Sequence, residues 1–208
     1  MRIGIPKERT ENETRVSLVP VSIPKLAKLG FDVVIEKNAG EKSGYSDSEY
    51  KEKGAKFCDS TKEVLEKSEL VLRVNCPSAD EINLIKNNSI LIGQFDPSLN
   101  KEIINKLIKK NNKIFSLNLL PRITRAQTMD ILSSQANLAG YRAVIESIEE
   151  FDKAIPMMMT AAGTIPPAKV LVIGAGVAGL QAIATAKRLG GIVSATDVRF
   201  SAKEQVES

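Results

Sequence analysis

The sequence predicts an α/β protein built of two doubly wound domains joined by a long helix, with the second domain incomplete. Three features of the 208 residues carry that reading. Over the first 118 residues, short apolar runs alternate with amphipathic segments, as strands alternate with the helices that cover a parallel sheet. A helical pattern over residues 126–151 follows, long enough to bridge two domains. Residues 170–181, VLVIGAGVAGLQ, then open a second strand–turn–helix unit.

In chain order, strands are expected at residues 2–5, 31–36, 55–58, 70–74, 90–93 and 113–117. The helices between them are marked by their ends. Residues 21–29 stop at Gly30, a residue suited to a C-cap. Residues 46–53 begin at Ser46 and stop at Gly54, and residues 61–67 carry Thr61 as cap. Residues 79–86 and 99–110 complete the series. LLPRIT, residues 119–124, reads as a loop leading into the long helix. There Ile131, Leu132, Leu138, Val144, Ile145 and Ile148 recur at helical spacings, and Ala136, Ala139 and Gly140 allow a close neighbour. Residues 155–168 form a connector rich in methionine and proline. The domains are thus 1–125, an N-terminal α/β domain; 126–168, linking helix and connector; and 169–208, the start of a dinucleotide-binding domain.

Val170 to Ile173 are four consecutive apolar residues, the pattern of a fully buried parallel strand. The GxGxxG that follows assigns Gly174 to a tight turn, Gly176 to close approach of a ligand and Gly179 to helix-on-strand packing. Backbone N–H groups along Gly174, Ala175, Gly176, Val177, Ala178 and Gly179, at the positive end of a helix, suit a pyrophosphate. A second strand, residues 192–196, ends at Asp197, about 20 residues on, as the Rossmann fingerprint requires. Asp197 can accept from the adenosine ribose hydroxyls, which favours NAD; a surface aspartate capping a turn is the alternative. Val198 follows, and then Arg199, whose charge could instead accommodate a 2′-phosphate.

Only strand, helix, strand and the beginning of a further helix, 199–208, occupy this second domain, whereas a mononucleotide-binding half needs βαβαβ. The polypeptide is expected to be truncated, or else a partner supplies the missing strands. Truncation is favoured because an exposed parallel edge strand invites association.

Composition narrows the function. The net charge of +4 comes from 29 basic and 25 acidic residues, and the densest basic run, Lys109, Lys110 and Lys113, has no interleaved aromatic, so no nucleic acid is expected. Cys58 and Cys76 stand in no metal or redox spacing, and no metal site is expected. The N-terminus has no apolar signal segment, which points to the cytosol. Residues 170–186 are 17 uncharged residues, but their glycines and the flanking Pro166, Pro167 and Lys169 argue against a membrane span. Histidine is absent, which removes the commonest acid/base group.

Arg122, Arg125, Gln127 and Asp130 cluster in PRITRAQTMDILSSQ before and within the long helix. They offer donors and acceptors for a carboxamide and ribose, and ordinary helix capping accounts for them equally. Arg15, after the charged KERTENETR, reads as a surface ion pair, and Met157 to Met159 as apolar filler.

The segments PRITRAQTMDILSSQANLAGYRAV, PMMMTAAGTIPPAKVLVIGAGVAGLQAIATAKRLG and the ATDVR and KEQVES tail resemble the NAD(H)-binding α subunit of proton-translocating nicotinamide nucleotide transhydrogenases, and IGIPKERTENETRV resembles the opening shared with alanine dehydrogenase. The resemblance implies direct hydride transfer between NAD(H) and NADP(H). It implies a homodimer lying peripherally on the inner, cytoplasmic face of a membrane, active only with a membrane-spanning proton-channel subunit and an NADP(H)-binding component. By motif position, Arg122, Gln127, Asp130 and Ser133 resemble the residues that hold the nicotinamide end, with no acid/base residue, while Gly174, Gly176, Gly179 and Asp197 resemble the pyrophosphate and ribose contacts. Direct transfer between nicotinamides needs positioning and water exclusion but no proton donor, so a histidine-free chain suits it. An alanine dehydrogenase-like oxidoreductase is the alternative. The resemblance implies for it a histidine where ILIGQFDP carries Gln94 and a substrate lysine near residues 73–77, neither of which is evident. A non-catalytic NAD-binding module is the remaining alternative.

Overall fold

The computed structural model describes residues 1–207, and the chain divides into two compact units, Met1–Met129 and Asp130–Ser208, with Ser208 itself outside the described residues. In the first unit six strands form one sheet: β1 (Arg2–Ile5), β2 (Asp32–Glu36), β3 (Lys56–Cys58), β4 (Leu70–Leu72), β5 (Ile90–Gly93) and β6 (Lys113–Ser116). Every pairing is parallel and the order is β3-β2-β1-β4-β5-β6. Five helices make the crossovers: α1 (Ile23–Lys28), α2 (Asp47–Glu52), α3 (Thr61–Lys67), α4 (Ala79–Leu84) and α5 (Lys101–Lys109).

Side chains alternate across the strands, so both sheet faces are buried. Ile3, Ile5, Val33, Ile35 and Leu70 join Ile23 and Tyr50 on one face. Val71 and Leu91 join Leu65, Ile82, Ile85, Phe95 and Leu107 on the other. The order reverses between β1 and β4, where an open α/β sheet has its ligand crevice. Here the protein's own side chains fill that place. The Arg73 guanidinium, just past β4, bonds Glu81 at 2.7 Å and lies 3.7 Å from Glu8, all three buried. Glu8 also accepts the Val74 N–H at 2.7 Å. Burial pushes its carboxyl up against the opposing pull of Arg73.

Serines start the helices of this unit. Ser46 and Ser78 form reciprocal capping boxes with Glu49 and Glu81. The expected Thr61 cap is corrected: Ser60 accepts the Glu63 N–H, and Thr61 is the first helical residue, its hydroxyl donating to Glu36 at 2.8 Å. The expected helix over 21–29 begins as a 3₁₀ turn, Pro20–Ser22, before α1.

The second unit contains α6 (Ile131–Glu149), a hairpin of β7 (Met158–Thr160) and β8 (Gly163–Ile165), then β9 (Lys169–Ile173), α7 (Val177–Arg188), β10 (Ile192–Thr196) and α8 (Ala202–Glu207). Three expectations need correction. The long helix starts at Ile131, not Ala126, because residues 124–129 wind as a 3₁₀ helix and Asp130 caps α6. The connector contains the antiparallel β7–β8 hairpin. Finally, β9 is not fully buried. Among the described residues it pairs with β10 alone, and Leu171 and Ile173 are 64% and 81% exposed. Val172 faces α7, within 3.6 Å of where a Gly179 methyl would lie, and the alternate residues are left uncovered. No helix among the described residues is long and apolar enough to cross a membrane.

Candidate functional site

In the second unit the fingerprint glycines have separate structural reasons. Gly174 follows β9 at φ +96°, a left-handed conformation costly for any residue with a Cβ. A methyl on Gly179 would lie 1.8 Å from the Gly174 carbonyl oxygen, so this glycine lets the first turn of α7 close onto the end of β9. A methyl on Gly176 would meet nothing within 4 Å. Gly176 is also the N-cap of α7 and brings no side chain to cap it, so the helix presents its first N–H groups outward. A strand end, a positive helix end and an open glycine are what a pyrophosphate requires.

Asp197, just beyond β10, belongs to the same corner. Its Oδ2 accepts the Ala175 N–H at 2.7 Å, tying the end of β10 to the glycine turn. Arg199 supplies the other donors: its N–H and Nε to Oδ1 at 2.8 and 3.0 Å, and Nη2 to Oδ2 at 3.0 Å. The Arg199 side-chain bonds, followed by the two backbone bonds, hold the Asp197 carboxyl well below the usual carboxylate range. Asp197 is therefore an anion at neutral pH. Nη2 also reaches the Ala175 carbonyl at 3.3 Å, so the guanidinium lies across the start of the turn. Val198 between them is fully exposed. Beside this corner is a cavity of about 320 Å³ lined by Ala195, Phe200, Ala202, Lys203 and Val206.

Asp130 and Ser133 stand at the head of α6. The Asp130 carboxylate accepts the Ser133 N–H at 2.9 Å and its hydroxyl at 2.7 Å. Gly140 abuts α7 so closely that a methyl there would lie 2.0 Å from the Ala178 carbonyl oxygen. Tyr141 and Ile145 line a groove with Gln181, Thr185 and Arg188, so α6 and α7 run in the same direction. Nine residues of α6 precede Gly140, which carries its head roughly 12 Å beyond the start of α7. Arg122 and Gln127 lie in the first unit and are exposed, Gln127 within the 3₁₀ turn. The structure thus brings Asp197, Arg199 and the glycine turn together, and Asp130 with Ser133. The close approach of a neighbour expected at Gly140 is the α7 contact, whereas reading the sequence missed the Asp197–Ala175 bond and the bidentate Arg199. The Asp-x-Arg spacing was the available signal for the second. Among the described residues no group of histidine, cysteine or carboxylate side chains could hold a metal ion.

Two α/β units, one with a six-stranded doubly wound sheet and the other with a strand, a glycine turn and a helix tied to a strand-end aspartate, define a protein of the dinucleotide-fingerprint class. The chain belongs to the alanine dehydrogenase/PNT family: the model of its N-terminal domain matches residues 4–139, and that of its C-terminal domain residues 143–208. It is similar to an NAD(P) transhydrogenase alpha subunit of Rhodospirillum rubrum, 49% identical over 213 residues that take in all of this chain and 56% of that protein. The crystal structure of a transhydrogenase from Sinorhizobium meliloti superposes with a TM-score of 0.94 at 51% identity, over all of this chain and 62% of that one. Alanine dehydrogenase of Staphylococcus epidermidis is more distant, 29% identical over 210 residues, again over all of this chain and 56% of that protein. The chain therefore spans little more than half the length of these relatives.

Proposed function

We propose that this chain is the NAD(H)-binding component of a proton-translocating transhydrogenase, working with a membrane-spanning proton-channel subunit and an NADP(H)-binding component. The observation that carries the reading is the glycine turn bonded to Asp197, in a chain whose more similar relatives are transhydrogenase subunits. The residues fit the cofactor: Gly176 leaves open space where a phosphate must approach, and Asp197 is an anion held at the strand end. NAD(H), when bound, supplies the nicotinamide that carries the hydride. The N–H groups from Gly174 to Gly179 would hold the pyrophosphate, and Asp197, flanked by Val198 and Arg199, would accept from the adenosine ribose.

Asp130 and Ser133 are proposed, with Arg122 and Gln127, to orient the nicotinamide end. The projection of the α6 head beyond the glycine turn supports this for the first two. None of the four acts as acid or base, and a reaction that passes hydride between two nicotinamides asks for none. Placement on the inner face of the cytoplasmic membrane and assembly as a homodimer belong to the same proposal. The relatives' names, subunits of an NAD(P) transhydrogenase, support assembly with other subunits.

Asp197→Ala in the full-length protein is expected to weaken NADH binding about tenfold, through lost ribose hydrogen bonds, with NADPH little changed. Equal loss for both cofactors would reject the ribose role. An assay for alanine oxidation separates the alanine dehydrogenase reading: no turnover is expected, and measurable turnover would sink the transhydrogenase assignment.

A further inference from the structure

A carboxylate accepts about four hydrogen bonds, and Asp197 has four donors already. Two of them, the Ala175 and Arg199 N–H groups, are backbone and fixed. The other two, Nε and Nη2, sit on a side chain that is 57% exposed, while the Asp197 side chain is only 10% exposed. A ribose bearing both hydroxyls also brings two donors. The guanidinium therefore stands where a diol would have to bond, and its contact with the Ala175 carbonyl lays it over the approach to the glycine turn.

The first unit contains a buried counterpart of this corner. Glu36, at the end of β2, accepts the N–H of Lys7, two residues past β1, at 2.9 Å, just as Asp197 accepts that of Ala175, two residues past β9. Arg9 bonds Glu36 at 2.6 Å, as Arg199 bonds Asp197. The buried Thr61 hydroxyl takes a further acceptor position on Glu36 at 2.8 Å. There the acid is 5% exposed, and a buried side chain holds one of its acceptor positions. On Asp197 no buried hydroxyl takes the place that Thr61 takes on Glu36: both of its side-chain donors come from the exposed Arg199.

We propose that the Arg199 guanidinium is a displaceable stand-in for the adenosine ribose, competing with NADH for Asp197 and so narrowing the preference for NADH over NADPH that Asp197 sets. The inference rests on the ribose role of Asp197. The exchange conserves hydrogen bonds only for a ligand that donates twice. A 2′-phosphorylated ribose brings acceptor oxygens and negative charge in place of one donor, so it cannot take over the two bonds that Arg199 gives up. Arg199 is on this account a specificity-determining residue.

The test is equilibrium binding of NADH and NADPH to the full-length protein and to Arg199→Met, Arg199→Lys and Asp197→Asn, with thermal melting of each to register folding. Removing the competitor should tighten NADH binding about two- to fivefold in Arg199→Met, the equilibrium equivalent of an exposed ion pair, and leave NADPH unchanged. Arg199→Lys, with one ammonium in place of a fork, should fall between that variant and the parent. Arg199→Met binding NADH no better than the parent, while Asp197→Asn still loses NADH selectively, overturns the stand-in and leaves the ribose reading intact. Loss of NADPH affinity alone in Arg199→Met overturns it in favour of a phosphate-binding arginine. If Asp197→Asn leaves NADH affinity untouched, the ribose reading fails and the stand-in falls with it.

Discussion

A methyl group at Gly179 would lie 1.8 Å from the Gly174 carbonyl oxygen, whereas one at Gly176 would touch nothing within 4 Å. The contrast separates a folding requirement from a binding one within a single motif. Gly179→Ala must push the first turn of α7 off the end of β9. It is expected to cost about 2 kcal/mol, in the range of overpacking a tight interior. Gly176→Ala should leave the melting temperature within about 1 °C of the parent's, since an unobstructed surface change moves stability little, yet weaken NADH at least about tenfold by standing where the phosphate approaches. Melting and NADH titration of the pair check this. A Gly176→Ala protein that melts early but binds normally would contradict the assignment. The glycine spacing made the three positions legible from sequence. It could not reveal that Asp197 is fastened to the Ala175 N–H, because that bond depends on the register of β9 and β10, in which Ile173 pairs with Thr196.

At the scale of elements, α6 joins capping to the proposed site. Asp130 follows the 3₁₀ turn and starts nineteen residues of helix by accepting from Ser133. Asp130→Ala should lower stability by about 1 kcal/mol, the usual cost of a lost N-cap, and weaken NADH binding as well. Asp130→Asn retains a capping oxygen and should melt with the parent while still binding NADH less tightly. Differential scanning calorimetry beside NADH titration tests it, and loss of stability without any effect on binding would leave Asp130 a cap only. The expected helix began five residues early because TRAQTM shares the helical spacing of apolar residues and differs only in its tighter hydrogen bonding. The β7–β8 hairpin escaped notice for a different reason. Its strands are three residues each, wholly exposed and joined by Ala161 and Ala162, so they carry neither alternation nor a turn signature. The inner strands of the first unit, β2, β1, β4 and β5, were legible because their apolar runs are largely buried and leave a hydrophobic signature.

The whole molecule is uneven in the same way. In the first unit Ile5, Ile35, Leu65, Val71, Leu91, Phe95 and Leu107 have no exposed surface. The buried apolar residues of the second are Val144, Ile155, Ile183 and four alanines, among them Ala175 and Ala186. Side chains of that size remove much less apolar area from water, and at ~25 cal/mol per Å² the hydrophobic stabilisation falls in proportion. The sheet of the second unit compounds the difference, since β9 and β10 form a single pair with Leu171 and Ile173 open to solvent. A two-stranded sheet has no central strand whose amides are protected from both edges. Native-state hydrogen exchange on the 208-residue chain should therefore resolve two levels of protection. The amides of β1, β4 and β5 should exchange slowest, with those of β9 and β10 at least about a hundredfold faster, because they report a local opening and not global unfolding. In the full-length protein, NADH added at saturating concentration should slow β9, α7 and β10 selectively, since a ligand held by the turn stabilises only the state in which the turn is formed. Equal protection of the two sheets in the absence of NADH would mean that the second unit unfolds only with the first, and that its thin core is not its weak point.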